Sequence, residues 1–189
     1  FVQHDTAMLM IGGGDNNNQA ISPPTDLAIQ FSVTTNSVVA ELGMVPNQPL
    51  TFVADSEPRS EDALIAYTWD KFLKTGDSRW PARMAMTKSA TAAMTAIQRL
   101  LAEEDVNIKD FFVAGASKRG WTTWTTAAVD DRVRAIAPIV IDLLNIEPSF
   151  EHHWRVYGFW SPAIQDYVDM STTDWWRSAE SHALFDLVA

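Results

Sequence analysis

The sequence predicts an α/β domain: a mainly parallel sheet with helices on both faces, joined to an aromatic helical cap. Three observations predict it. From Thr6 to Ile141, apolar runs of strand length alternate with longer segments of helical periodicity, the pattern of parallel strands joined by crossover helices. One run, Phe111-Phe112-Val113-Ala114, stops abruptly at Gly115-Ala116-Ser117-Lys118-Arg119-Gly120, where two glycines permit a tight turn around a serine. After Asp142 the character changes, and nine of the 20 aromatic residues fall in the last forty positions. We read residues 1–144 as the sheet-bearing core and 145–189 as a cap or lid.

The chain-level numbers bound the function. At 189 residues, 47% hydrophobic and 20% charged, the chain suits one domain with a sizeable core. Its 24 acidic against 14 basic side chains give a net charge of −10. That charge repels phosphate backbones and anionic membranes, so nucleic acid is not an expected partner. With no cysteine there is no disulfide, thiolate metal site or cysteine nucleophile. No apolar run approaches the ~20 residues of a membrane span.

The elements follow in order. Thr6–Ile11 is an apolar strand emptying into Gly12-Gly13-Gly14-Asp15. This is not a dinucleotide fingerprint, which would need a third glycine at Asn17 and a helix directly after it. Thr25-Asp26 caps a helix expected through Leu27, Phe31, Val38 and Leu42 to Gly43, although Val33 to Val39 is rich in β-branched residues. Leu50 to Val53 reads as the second strand. Ser60-Glu61-Asp62 starts a helix that Lys71, Lys74 and Gly76 finish, with Leu64, Ile65, Trp69, Phe72 and Leu73 as its buried stripe. Pro81 opens a longer helix with Met86, Ala90, Met94, Ile97, Leu100 and Leu101 facing the core. A threonine-rich helix runs from Lys118 to about Val129; its propensity is poor, so packing must hold it. Val133 to Ile141 is the last core strand, with Pro138 at a bulge or near its end.

Strand, sharp turn and helix around Ser117 are the parts of a nucleophile elbow, as in an α/β-hydrolase. There the turn pushes a serine hydroxyl into the open and the next backbone N–H, here that of Lys118, forms half of an oxyanion hole. The usual second glycine would stand at Arg119 and comes one place later, at Gly120; the alternative is a glycine-lined turn with an inert serine. Gly13 and Gly14 either supply the second oxyanion donor or form a simple turn. Asp142 ends its strand where catalytic groups of open α/β sheets collect, and is either a triad acid or a structural carboxylate. His152 and His153, beside Glu151, diverge on a helix and do not make a shared metal site. His4 and His182 read as packing or surface residues. No cofactor or metal is implied. Trp154 and Trp160 of the cap, with Arg119, are candidate substrate contacts.

Leu9 to Asn16, Val45 to Leu50, Glu61 to Trp69, Gly115 to Trp124 and Val129 to Asn145 together resemble the PhoPQ-activated pathogenicity-related proteins. The resemblance covers nearly the whole chain. Its most specific piece, Gly115-Ala116-Ser117-Lys118-Arg119-Gly120-Trp121-Thr122-Thr123-Trp124, includes the displaced second glycine. It implies an α/β-hydrolase fold, a candidate nucleophile at Ser117 and a secreted or periplasmic protein, and leaves the substrate undefined; the elbow chemistry itself points to an ester or amide of a small molecule or peptide. The Gly-x-Ser-basic-x-Gly pattern is also similar to that of glucuronoyl esterases. This implies that Lys118, with Arg119, sets positive charge where a tetrahedral intermediate carries its negative charge; the alternative is a solvated salt-bridge partner. A signalling or binding protein with a disused pocket is the rival function. By analogy with the family, four core strands lie in the order second, first, third, fourth. The triad histidine and further strands are then expected outside these residues, which would make the chain an incomplete hydrolase.

Overall fold

The computed structural model describes residues 5–17, 22–142, 145–175 and 178–188. His4 and Trp176 lie outside them. The chain forms two compact units, one of residues 1–47 with 86–141 and one of residues 48–85 with 142–189.

The first unit carries a four-stranded parallel sheet in the order β2-β1-β5-β6. Its strands are β1 (Thr6–Ile11), β2 (Val38–Leu42), β5 (Asp110–Ala116) and β6 (Val133–Ile139). Its helices are α1 (Asp26–Thr35), α4 (Lys118–Val129) and, from Met86 onward, α3 (Ala82–Ala102). Successive residues Ala7, Met8 and Leu9 are all buried, as expected of a central strand covered on both faces. Phe111 and Val113 of β5 and Met86, Ala90 and Met94 of α3 complete the centre of this core. Leu100, placed in the α3 stripe by spacing, is instead exposed.

The second strand is not where its sequence suggested. The expected helix through Leu42 ends at Thr35, because Asn36 adopts a left-handed conformation at φ 51° and its N–H donates to Ser32 O. An asparagine accepts that conformation more readily than other residues with side chains. The β-branched pair Val38-Val39 then enters the sheet beside β1, with Val38 opposite Ala7. Thr25 caps α1 by accepting from Ala28 N–H (3.2 Å), and its own N–H and hydroxyl donate to the Glu41 carboxylate at 2.8 and 2.6 Å. The start of α1 is thereby fixed to the end of β2. Leu50-Thr51 (β3) pairs instead with Pro58-Arg59 (β4) as a short antiparallel ladder. Pro138 sits near the end of β6, opposite Gly115.

The threonines of α4 resolve its poor propensity. Thr122, Thr123, Thr125 and Thr126 are buried, and their hydroxyls are satisfied locally: Thr122 donates to Lys118 O, Thr123 to Arg119 O and Thr126 to Thr122 O. Thr125 also meets Thr87 of α3 at 2.6 Å.

In the second unit, α2 (Glu61–Thr75) ends at Gly76, φ 68°, whose N–H donates to Phe72 O. Leu64 to Trp69 form an uninterrupted buried run, followed by Phe72 and Leu73, so this helix is buried nearly all round. It packs against α6 (Gln165–Asp169), the 3-10 turn Thr172–Trp175 and α7 (Ala179–Val188). The Tyr167 ring of α6 lies tilted against Trp69, centroids 5.1 Å apart, and its hydroxyl donates to Asp62 at 3.1 Å; burial pushes its phenol well above the usual range. The aromatic stretch is thus helical, and includes α5 (Ile146–Tyr157). No helix among the described residues is long and apolar enough to cross a membrane.

Arg132 ties the start of β6 to α3 within the first unit. Its Nε and Nη2 donate to Asp130 at 2.9 and 2.6 Å, and Nη1 donates to Gln98 (2.7 Å) and Thr95 (3.1 Å) of α3. The hydrogen bond from Arg132 holds the Asp130 carboxyl below the usual carboxylate range. A lowered folded value means stability that is fully present above about pH 4 and lost as pH falls through the folded value. Arg132→Ala is expected to cost about 2 kcal/mol at neutral pH and to flatten the acid limb of stability against pH below about 4, measured by urea denaturation across pH.

Candidate active site

The centre of the site is the turn between β5 and α4. Ser117 holds φ 56°, ψ −124°, a conformation that a residue with a side chain adopts only when its surroundings enforce it, at a cost of about 1–3 kcal/mol. The enforcement is visible. A Cβ on Gly115 would stand 2.6 Å from Arg119 O and 2.8 Å from Arg119 C; one on Gly120 would stand 2.7 Å from Ile141 Cγ2 and 3.1 Å from both Gly115 O and Ile139 O. The first turn of α4 therefore crosses directly over the ends of β5 and β6. The displaced glycine has a physical reason: residue 120 faces Ile141 and the ends of β5 and β6, while residue 119 keeps its side chain because the residue opposite it is Gly115. Ser117 N–H donates to Ile139 O at 2.8 Å, and the exposed hydroxyl makes no hydrogen bond among the described residues.

The loop after β1 lies alongside. Ile11 pairs with Gly115 on one side and Leu42 on the other, so Gly12 to Gly14 and Ser117 leave adjacent strands at their C-terminal ends. The chain passes from β1 to β2 on one flank and returns as β5 on the other, and ligands of open α/β sheets bind at such a reversal. Gly12 O accepts from Val45 N–H (3.1 Å) and Gly13 O from Met44 N–H (2.8 Å). In a trans peptide the N–H opposes the preceding C=O, which turns the N–H of Gly13 away from the 44–45 segment. Met44 holds φ 62°. Met44 and Val45 carry no signal of these contacts in the sequence, because a backbone carbonyl's partner leaves no trace in side-chain identity.

The two basic residues of the elbow differ. Lys118 is only 6% exposed. Arg119 is half-buried, its Nε donates to Val45 O, and its Nη2 lies 2.6 Å from where a Gly13 Cβ would be. The guanidinium therefore occupies the face that glycine leaves open. A hollow of about 730 Å³ beyond β1 and β2 is lined by Gly13, Gly14, Asp15, Thr25, Glu41 and Met44 among others, with no cationic side chain among the described residues that line it.

The remaining candidates belong to the second unit. Asp142 is exposed just past β6 and lines an open hollow of about 490 Å³ with Asn145, Ser149, His152, His153 and Tyr157. Trp154 and Trp160 contact each other at 4.8 Å, and the His153 ring lies parallel to Trp160 at 6.1 Å. His153 Nε2 accepts from Ser161 N–H at 3.2 Å, and His182 Nε2 lies 3.4 Å from Glu147. Among the described residues no three His, Asp or Glu side chains are grouped to hold a metal ion.

The model of the PhoPQ-activated pathogenicity-related proteins matches residues 2–189. The chain belongs to that family. It is 40% identical over 172 residues to autocrine proliferation repressor protein A of Dictyostelium discoideum, an alignment covering 90% of this chain and 35% of that protein. The chain thus spans about a third of the length of this curated relative. No solved structure matches.

For this family member the crossing of α4 over β5 gives a direct test. Gly115→Ala places a methyl against backbone atoms at 2.6 and 2.8 Å and is expected to cost about 3 kcal/mol. Gly158→Ala, at φ 71° with nothing within 4 Å, is expected to cost about 1 kcal/mol. Urea denaturation of both variants measures the difference.

Proposed function

We propose that the protein is a serine hydrolase of the α/β-hydrolase type that cleaves an ester or amide of a small molecule or peptide. The observation that carries this reading is the conformation of Ser117: an exposed serine at φ 56° between a buried central strand and a helix, with Gly115 and Gly120 both closed to a side chain. A turn that expensive is maintained where a hydroxyl must be presented at one place.

In this reading the Ser117 oxygen attacks the substrate carbonyl while a histidine accepts its proton. The carbonyl oxygen, now negative, is received by the N–H of Lys118 and by an N–H of Gly13 or Gly14, with the positive charge of Lys118 nearby. Collapse of the tetrahedral intermediate expels the leaving group, which takes the proton back from the histidine. Water then hydrolyses the acyl-serine by the reverse sequence of proton transfers. Asp142 is the candidate acid that orients the histidine, and Trp154 and Trp160 are candidate substrate contacts.

A second reading is favoured by the relative named an autocrine proliferation repressor: the fold would serve as a signalling or binding protein, and Ser117 would not react. The two readings separate in one comparison. Incubation with a fluorophosphonate probe is expected to phosphonylate Ser117, found on its peptide by mass spectrometry, and Ser117→Ala is expected to abolish labelling. An unlabelled protein, or labelling that persists in Ser117→Ala, contradicts the hydrolase. If Ser117→Ala slows proliferation of target cells as fully as the unaltered protein, the binding reading holds.

A further inference from the structure

We infer that Arg119 is a positioning residue that holds the Gly12–Gly14 loop in the orientation an oxyanion donor requires, an inference that rests on the hydrolase reading. Arg119 is the second residue of α4, so its backbone is fixed by the same crossing that fixes Ser117: its carbonyl carbon and oxygen are the atoms that exclude a side chain from Gly115. From there its Nε reaches Val45 O. Val45 N–H in turn reaches Gly12 O at 3.1 Å, and Met44 N–H reaches Gly13 O at 2.8 Å. The guanidinium comes back under Gly13, with Nη2, Cζ and Nε at 2.6, 3.0 and 3.6 Å from the position a Cβ would take.

These contacts close a ring from the elbow through Arg119 to Val45, to the glycine loop, and back to Arg119. The consequence is directional. Two carbonyls of the loop are drawn to the 44–45 segment, so the peptide planes of 12–13 and 13–14 are both set, and with them the direction of the N–H groups of Gly13 and Gly14. Three adjacent glycines have no side chains to fix those planes, and an unfixed donor must be reorganised when charge develops, which forfeits much of the value of a preorganised site. Arg119 thereby couples the elbow to its second donor without touching the reacting atoms. The role also accounts for two sequence features together: glycine at 13, which leaves room for the guanidinium, and a long planar side chain at 119, where the usual elbow has its second glycine.

The test measures the rate of phosphonylation of Ser117 against probe concentration in the unaltered protein, Arg119→Lys, Arg119→Ala and Gly13→Ala. The maximal rate is expected to fall about 10- to 100-fold in each variant, less than the roughly 100- to 1,000-fold loss of an oxyanion donor outright, while the half-saturating probe concentration stays unchanged. Arg119→Lys keeps the charge and loses the planar fork, so full rescue by lysine would show that charge alone matters and would overturn the inference. Gly13→Ala is expected to add little in the Arg119→Ala background, where the clash is gone; additive losses would overturn it too. Amide hydrogen exchange supplies a readout independent of chemistry: Met44 and Val45 are expected to exchange about tenfold faster in both Arg119 variants, including the milder lysine variant should alanine fail to fold. If the unaltered protein is not phosphonylated at Ser117, the hydrolase reading fails by itself, and unchanged exchange at Met44 and Val45 then refutes the anchoring role separately.

Discussion

The crossing of α4 over the C-terminal ends of β5 and β6 is the constraint on which the first unit depends. Gly115 lies where the α4 backbone approaches too closely for a Cβ, a Cβ on Gly120 would stand 2.7 Å from the Ile141 side chain, and Ser117 N–H is committed to Ile139 O at 2.8 Å. Between those fixed points the chain has one residue in which to reverse from strand to helix, and Ser117 absorbs the reversal at φ 56°. The cost of that conformation is offset by what surrounds it: Phe111, Val113 and Ala114 buried in β5, Trp121 buried in α4, and a column of threonines satisfied within the helix. The helix is poor by propensity. It persists because its buried face is apolar or internally hydrogen-bonded.

The same crossing organises the neighbouring loop. Arg119, a first-turn residue of α4, reaches Val45 O, and the 44–45 segment receives the carbonyls of Gly12 and Gly13. Electrostatic stabilisation is most effective where dipoles are oriented before charge develops, and a ring of backbone hydrogen bonds closed by one guanidinium is a compact way to orient peptides that have no side chains of their own. Lys118 is buried at the start of α4, the end where the helix dipole is positive.

Much of this was legible in the sequence, for reasons specific to each element. The β5–Ser117–α4 turn announced itself because a run of buried residues, a serine and two obligatory glycines are side-chain facts. The α2 stripe from Leu64 to Leu73 and its stop at Gly76 were legible for the same reason. The helix through Leu42 was misread because Val33 to Leu42 carries apolar residues at spacings that suit either period. What decides is Asn36, whose readiness for a left-handed conformation ends the helix, together with the free flank of β1 that Val38 to Leu42 fills. Leu50 was read as a sheet strand because short apolar runs look alike; its partner, Pro58-Arg59, forms only a two-residue ladder. Leu100 follows the spacing of the α3 stripe but lies near the end of the helix and is exposed. The roles of Met44 and Val45 had no sequence signal, since they act through backbone groups.

In the proposed reading Ser117 is a nucleophile presented by strain, with oxyanion donors at Lys118 and in the glycine loop. The most direct measurement is a crystal structure of the protein after reaction with a phosphonate ester. The expected structure has a covalent bond from the Ser117 oxygen to phosphorus, φ of Ser117 still near 56°, and one phosphonyl oxygen within about 3 Å of both the Lys118 N–H and the N–H of Gly13 or Gly14. An adduct on another residue, or a phosphonyl oxygen turned to solvent away from both donors, would contradict it.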